Sequence, residues 1–442
     1  MRIVIVGAGA VGTHLAERLS IEGQDVVIVD NDAQRVEQIQ ESFDLLAIHG
    51  NGASPATLEA AGIEKAELII AVTSNDAVNV LACHAAARLG VPRKIARVED
   101  PALRDELELL GVDVVIDPVE ELATELLTLV SEGGISEHAT FGDGSLSLIG
   151  GYVQEDAPLS HLSLEELRSQ VTDWDWLVTA IIRGGVPFVA RGESTVEEGD
   201  HVLIATKTDL IEELAPLLGI RIHKAKRVVI FGVTRLARLT ADLLSKNGIQ
   251  VTLIDKDKER TLAVAEMLPD VIVVQGDPLD PDLLESEGMA HVDDVLALTG
   301  WDEVNIVACL VSKGLGAKNA IARYHRLDYV SVLNETSIDT GVSSRLSAAN
   351  AILRYVRRGQ VHSVVTFQDS DLEAIELQVD AASEAVGKTL AEISLPKSAI
   401  VAGIIRNSDT LIPRGQTVIK LGDRVVAVSL PDALARVEKA FS

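Results

Sequence analysis

The chain has 442 residues, 47% of them hydrophobic, 24% charged and only 3% aromatic. This is the balance of a soluble globular protein of about three domains, with cores built from Val, Ile, Leu and Ala. Sixty-seven acidic against 39 basic side chains leave a formal charge of -28, which excludes a sequence-independent grip on nucleic acid and adsorption to an anionic lipid surface.

The first residues, Met1–Val6 (MRIVIV), already read as a strand, so no signal peptide is expected. No run reaches the ~18 apolar residues of a membrane span. Cys83 and Cys309, the two cysteines, cannot make a disulfide framework and point to a reducing compartment, the cytoplasm. Residues 1–130 then alternate strand and helix. The apolar runs IVIVG, DVVIVD, DLLAIH, ELIIAV, KIARV and VDVVID are separated by amphipathic stretches. Near-continuous apolar strands of this kind predict a parallel sheet covered on both faces, a Rossmann-type doubly wound domain.

The first strand runs into Gly7-Ala8-Gly9-Ala10-Val11-Gly12, a G-x-G-x-x-G turn that opens a helix read as Thr13–Ser20. Gly7 permits the tight turn, Gly9 lets the backbone approach a diphosphate, and Gly12 packs helix on strand. Asp30 closes the second strand, where an acid hydrogen-bonds the adenosine ribose and repels a 2′-phosphate. NADP is therefore disfavoured, while NAD(H), ATP and ADP stay open. Thr73-Ser74 end the fourth strand at the ligand-binding edge, with capping of the next helix as the competing role. Arg97, inside KIARV, requires an anion, either a nucleotide phosphate or a neighbouring carboxylate.

From about Phe141 the pattern changes. Leu146–Val153, Trp176–Ile182 and His201–Ala205 read as strands, Leu164–Val171 as a short helix, and GGV and EEGD as turns. Everything then repeats. Arg2–Gly7 recurs as Arg227–Gly232 and Asp30 as Asp255, displaced by 225; Gly50, Thr73, Asn79, Cys83 and Arg97 recur as Gly276, Thr299, Asn305, Cys309 and Arg323, displaced by 226. Arg183 and Gly199-Asp200 recur as Arg406 and Gly422-Asp423, displaced by 223. The fold expected is a tandem α/β duplication: Rossmann-type domains at 1–130 and 226–358, each followed by a small α+β domain, at 141–223 and 362–442. The second turn, Gly232-Val233-Thr234-Arg235-Leu236-Ala237, loses two glycines. Gly232, Asp255, Thr299 and Arg323 remain candidate ligands there, with Arg235 a substitute phosphate ligand. Matched positions on matched helices make Cys83 and Cys309 packing residues. No metal or catalytic motif is present.

The duplication, the Gly7–Gly12 turn with Asp30, the run Gly50-Asn51-Gly52-Ala53, Ala71–Asn79 (AVTSNDAVN) and Ile95–Val98 (IARV) resemble the TrkA family. These are peripheral subunits of Trk potassium uptake systems, built from two RCK units, each a KTN nucleotide-binding domain followed by a TrkA-C domain. The resemblance covers essentially the whole chain. It implies a non-enzymatic, cytosolic regulator that forms a homo-tetrameric ring on the inner face of the cell membrane. The ring would be held there by a potassium-translocating subunit of the TrkH/TrkG kind, with NAD(H) or ATP/ADP exchange biasing opening. By the same resemblance, Gly7, Ala8, Gly9, Ala10 and Val11 would hold the diphosphate and Asp30 the ribose. Asn51 would lie by the adenosine, and Thr73, Ser74 and Arg97 would complete the site. One departure stands out: Val119 follows Asp117-Pro118 where related ring proteins often carry an acid. The alternative, an NAD-dependent oxidoreductase, requires a separate catalytic domain with a His, Lys or Tyr acid/base, and the repeated unit offers none.

Overall fold

The computed structural model describes residues 1–442 apart from 108–109, 132–134, 156, 161, 171–174, 220–224, 327–328, 330–332, 334–335, 357–360, 368–371, 408 and 442. Two compact units result, Met1–Glu121 with Ser344–Arg358 and Leu122–Ser343 with Gly359–Ser442.

In the first unit, β1 (Arg2–Val6), β2 (Asp25–Asp30), β3 (Leu46–His49), β4 (Leu68–Ala71), β5 (Arg93–Arg97) and β6 (Val114–Ile116) form one sheet in the order β3-β2-β1-β4-β5-β6. Every pairing is parallel. The strands bury both faces, and Ile3, Val4, Ile5, Leu68, Ile69 and Ile70 are fully inaccessible, which accounts for their unbroken apolar runs. The order reverses between β1 and β4, placing a crevice at their carboxyl ends.

The helix Ser344–Val356 follows the second copy in sequence yet belongs to the first unit. Its Ala348, Ala349, Ile352, Leu353 and Val356 share a core with Leu15, Leu19, Ile95 and Ile116. Small residues let it approach closely, and the Arg93 guanidinium donates to its last carbonyls, Tyr355 at 3.3 Å and Val356 at 3.0 Å, a favourable place for a cation. The residue matching Arg93 in the second copy is Asn319, whose amide donates instead to Asp294.

In the second unit, β7 (Glu137–Phe141), β8 (Leu146–Tyr152), β9 (Trp176–Arg183), β10 (Val186–Val189) and β11 (His201–Lys207) make an antiparallel sheet ordered β10-β9-β11-β8-β7. Here β7 and β10 are additional to the strands read from sequence. The helix Leu164–Gln170 lies where Leu164–Val171 was expected, Val171 being outside the described residues. β12 (Arg227–Phe231), β13 (Gln250–Asp255), β14 (Ile272–Gln275), β15 (Asp294–Ala297), β16 (Asn319–Arg323) and β17 (Thr340–Val342) repeat the parallel order as β14-β13-β12-β15-β16-β17. β18 (Val361–Thr366), β19 (Glu373–Gln378), β20 (Ala399–Arg406), β21 (Asp409–Leu411) and β22 (Arg424–Ser429) complete a second antiparallel sheet, β18-β19-β22-β20-β21. The two small sheets share one core, Phe141, Leu146, Leu148 and Leu203 meeting Phe367, Ala374, Ala402 and Val426.

The displacement of 223 marks a repeated ion pair. Arg183 grips Asp200 through Nε and Nη2, both at 2.8 Å, and Arg406 grips Asp423 in the same way at 2.7 Å. Both carboxylates are buried. Each pair fastens a turn to the strand beside it with bidentate geometry.

Candidate functional site

The crevice at the carboxyl ends of β1 and β4 collects most of the residues expected to bind. Gly7 sits at φ +107°, and a Cβ there would lie 2.9 Å from the Thr73 amide nitrogen. Glycine is required by backbone and space together. At Gly12 a Cβ would fall 1.8 Å from the Gly7 carbonyl oxygen, whereas at Gly9 it would meet nothing within 4 Å. The three glycines therefore differ in kind: two permit close packing, and the middle one faces open space.

The helix Ala10–Ile21 starts from Gly9 with no side-chain cap, three residues ahead of the expected start. Its leading amides form an oriented set of donors with the positive end of the helix dipole behind them, the arrangement that binds a phosphate. Asp30 is buried, and both carboxylate oxygens are engaged. Ala8 N–H donates to one at 2.5 Å and Asp32 N–H to the other at 2.8 Å. The acid thus holds the glycine turn against β2 and retains lone pairs for a further donor, such as a ribose hydroxyl. Asn51 lies just past β3, where Gly50 N–H donates to the Asp30 carbonyl at 2.8 Å; its own side chain accepts from Ala53 N–H.

Thr73 is fixed by a residue whose role the sequence did not reveal. The fully buried Asn79 side chain accepts from Thr73 N–H at 2.9 Å and from its hydroxyl at 2.7 Å. Its amide donates to the carbonyls of Thr73 at 3.0 Å and Arg97 at 2.8 Å. One side chain so ties the end of β4 to the end of β5. Ser74 is exposed. Neither Thr73 nor Ser74 caps the following helix; Asn75 does, accepting from Val78 N–H at 3.1 Å. Arg97 has a carboxylate neighbour, donating to Glu99 through Nε and Nη2. Asp76 accepts from Glu99 and Asp100 N–H at 2.9 and 2.8 Å, pinning the loop that carries this pair.

The second copy keeps the scaffold and closes the turn. Asp255 accepts from Val233 and Asp257 N–H, and Asn305 repeats the clamp between Thr299 and the Arg323 carbonyl. Gly232 again takes a positive φ, +99°. Thr234, standing where Gly9 is, caps its own helix: its hydroxyl accepts from Ala237 N–H at 3.2 Å and donates to the Leu298 carbonyl at 2.9 Å. A side chain takes the amide that a phosphate would use. Cys83 and Cys309 are fully buried on their helices. Burial pushes the Cys83 thiol up to about 12 and raises Cys309 as well, which suits packing and not nucleophilic chemistry.

Two Rossmann sheets in tandem, each followed by a small antiparallel module and one bearing an open glycine turn, define a duplicated nucleotide-fold protein. TrkA-N domain models match residues 3–118 and 228–344, and TrkA-C domain models match 152–219 and 374–442. The chain is 33% identical to the Trk system potassium uptake protein TrkA of Azorhizobium caulinodans, over 100% of this chain and 98% of that one. It is 34% identical to the TrkA homolog of Archaeoglobus fulgidus, over 100% of both. Among solved structures, the GsuK RCK domain (TM-score 0.60, 19% identity, 100% of this chain and 94% of that one) and the GsuK channel bound to NAD (0.61, 19%, 100% and 78%) share the fold. The chain belongs to the TrkA family.

Proposed function

We propose that this chain is the nucleotide-sensing regulatory subunit of a potassium uptake system, not an enzyme. It works in the cytoplasm as a homo-tetrameric ring bound to a membrane potassium-translocating subunit of the TrkH/TrkG kind. The observation that carries this reading is the uncapped helix start at Gly9, beside Asp30, in a chain related over its full length to Trk potassium uptake proteins. Among the described residues no helix is long and apolar enough to cross a membrane; this reading assigns the conducting path to the partner.

NAD(H) and ATP/ADP share the adenosine diphosphate that Gly7–Gly12 and Asp30 fit. They differ in distal groups, and only a difference in affinity for two states of the ring can shift its gating. Arg97 is the residue placed to read that difference. At rest it pairs with Glu99, and a distal phosphate competes for the same guanidinium, loosening the loop after β5. The test is potassium flux in proteoliposomes holding the chain and its membrane partner, with each nucleotide in turn. Wild type should discriminate between nucleotides. Arg97→Ala should keep assembly and lose that discrimination; a mutant that discriminates as well as wild type leaves Arg97 a structural ion-pair partner.

A further inference from the structure

A cavity opens at the amino ends of the second parallel sheet, the edge opposite its glycine turn. β15, β16 and β17 begin there, at Asp294, Asn319 and Thr340, and the first small module supplies the other wall with Ser136, Tyr152 and His201. The space is about 440 Å³, within the roughly 300–1,000 Å³ usual for small-molecule sites. All of its lining belongs to the second compact unit. The carboxyl edge, where a nucleotide would bind, has no part in it.

His201 distinguishes this cavity from a packing gap. The residue is only 5% exposed. Its Nε2 meets the Ser136 hydroxyl at 2.8 Å, and its ring lies against Tyr152. Nδ1 has no partner among the described residues, and a polar side chain buried so deeply normally has its bonding satisfied. Burial pushes the pKa down to about 4, so the imidazole is neutral near pH 7. The Ser136 hydroxyl accepts as readily as it donates, so the ring proton can sit on Nε2 and leave Nδ1 a lone-pair acceptor.

The charges around it select the sign of the guest. Glu137, Asp294 and Asp339 line the cavity against one cation, Lys313. All three Lys313 Nζ donors are committed, to the Lys318 carbonyl at 2.8 Å and to the Asp339 carboxylate at 3.0 and 3.2 Å. An entering anion therefore finds no cation to pair with. Asp294 accepts from the Asn319 amide at 3.0 Å, and Asp294 and Glu137 both have bonding of their own within the fold. These acids set the field, and contacts to a guest fall to groups with capacity left. Besides His201 Nδ1 these are the Thr340 hydroxyl, which makes no hydrogen bond among the described residues, and the amide oxygen of Gln154, whose Nε2 donates to the Tyr152 carbonyl. An ammonium group brings three donors and the complementary charge, and a charge is tolerated at such depth only when it is paired and hydrogen-bonded.

We propose that this cavity binds a small primary aliphatic amine in its ammonium form, which donates to His201 Nδ1, the Thr340 hydroxyl and the Gln154 amide oxygen and fastens the first small module to the second Rossmann sheet. This goes beyond the nucleotide reading of the first copy and does not depend on it.

The test is calorimetric titration of the full chain at neutral pH with 1,4-diaminobutane, 1,4-butanediol, tetramethylammonium and succinate. Wild type binds one diamine per chain, and its thermal midpoint rises with diamine concentration. The diol has the same length without the charge, and tetramethylammonium has the charge without an N–H; each binds about tenfold or more weakly than the diamine, since neither can make a charge-assisted hydrogen bond. Succinate does not bind. His201→Phe keeps a ring in place, removes the acceptor and weakens the diamine about tenfold or more. Thr340→Leu fills the cavity from the opposite wall and weakens it comparably, so the result does not hang on one variant's folding. No diamine binding by wild type, binding unaltered in both variants, diol or tetramethylammonium bound as tightly as the diamine, or succinate bound in its place would each overturn the proposal.

Discussion

Asp30 illustrates how far one residue's sequence signature can be read. Its position at the end of β2 was legible from the spacing to the glycine turn. Its engagement with the Ala8 and Asp32 amides was not, because a strand-end acid in a sequence looks the same whether it faces solvent or backbone. The two roles give one expectation. Asp30→Ala should weaken NAD or ATP by about 1.5–3 kcal/mol, the cost of an unmade charge-assisted hydrogen bond. NADP should weaken less, since repulsion of its 2′-phosphate disappears too. The same change leaves the Ala8 and Asp32 amides without their acceptor, so thermal stability should fall in parallel. Calorimetry with NAD and NADP decides it, and equal losses for both would remove Asp30 from the ribose. Arg97 was legible as a residue needing an anion; only the fold shows that Glu99 supplies one.

At the scale of elements, the strands were legible because each is a short apolar run bounded by turn residues, while β7 and β10 lacked that contrast. The helix Ser344–Val356 exposes the limit of periodicity: an apolar stripe declares that a face is buried, not which sheet buries it. The Asn79 clamp was hidden for the opposite reason, since a lone amide on a helix reads as a solvated residue. Asn79→Ala should strand the Thr73 amide and the Arg97 carbonyl and cost about 2–4 kcal/mol, with urea denaturation as the measurement; a loss under about 1 kcal/mol would mean the strand ends are held by something else. His201 opens β11, buried beside the Tyr152 ring at 4.7 Å and hydrogen-bonded to the Ser136 hydroxyl at 2.8 Å. Burial pushes its pKa down to about 4. A folded-state pKa below the unfolded value of 6.5 means that the unfolded chain binds the extra proton. The stability this supplies is present above pH 6.5 and drains away as pH falls towards 4, by on the order of 3 kcal/mol. His201→Gln should flatten that window in denaturation midpoints taken at pH 7 and pH 5; an unchanged slope would mean the imidazole titrates freely in the folded module.

Over the whole molecule, the duplication was the most legible feature, because displacements of 225, 226 and 223 residues leave only small insertions between copies. Its asymmetry lies in the turn that follows the first strand of each copy. Both copies keep the acid at the end of the second strand, the Thr–Asn clamp and the strand order. They part most clearly in the turn after the first strand, where Gly9 leaves a helix start open and Thr234 closes one. The central claim is that nucleotide sensing lives in the first copy. It meets its most direct test in calorimetric titration of the full chain, as wild type, Gly9→Val and Thr234→Val, with NAD, NADH, ATP and ADP. The space beside Gly9 and its ordinary φ of -73° mean that valine is tolerated by the fold while filling the diphosphate's place. The account predicts that Gly9→Val abolishes most NAD and ADP binding and that Thr234→Val leaves it intact. Wild-type affinity in Gly9→Val, with loss in Thr234→Val, would contradict it.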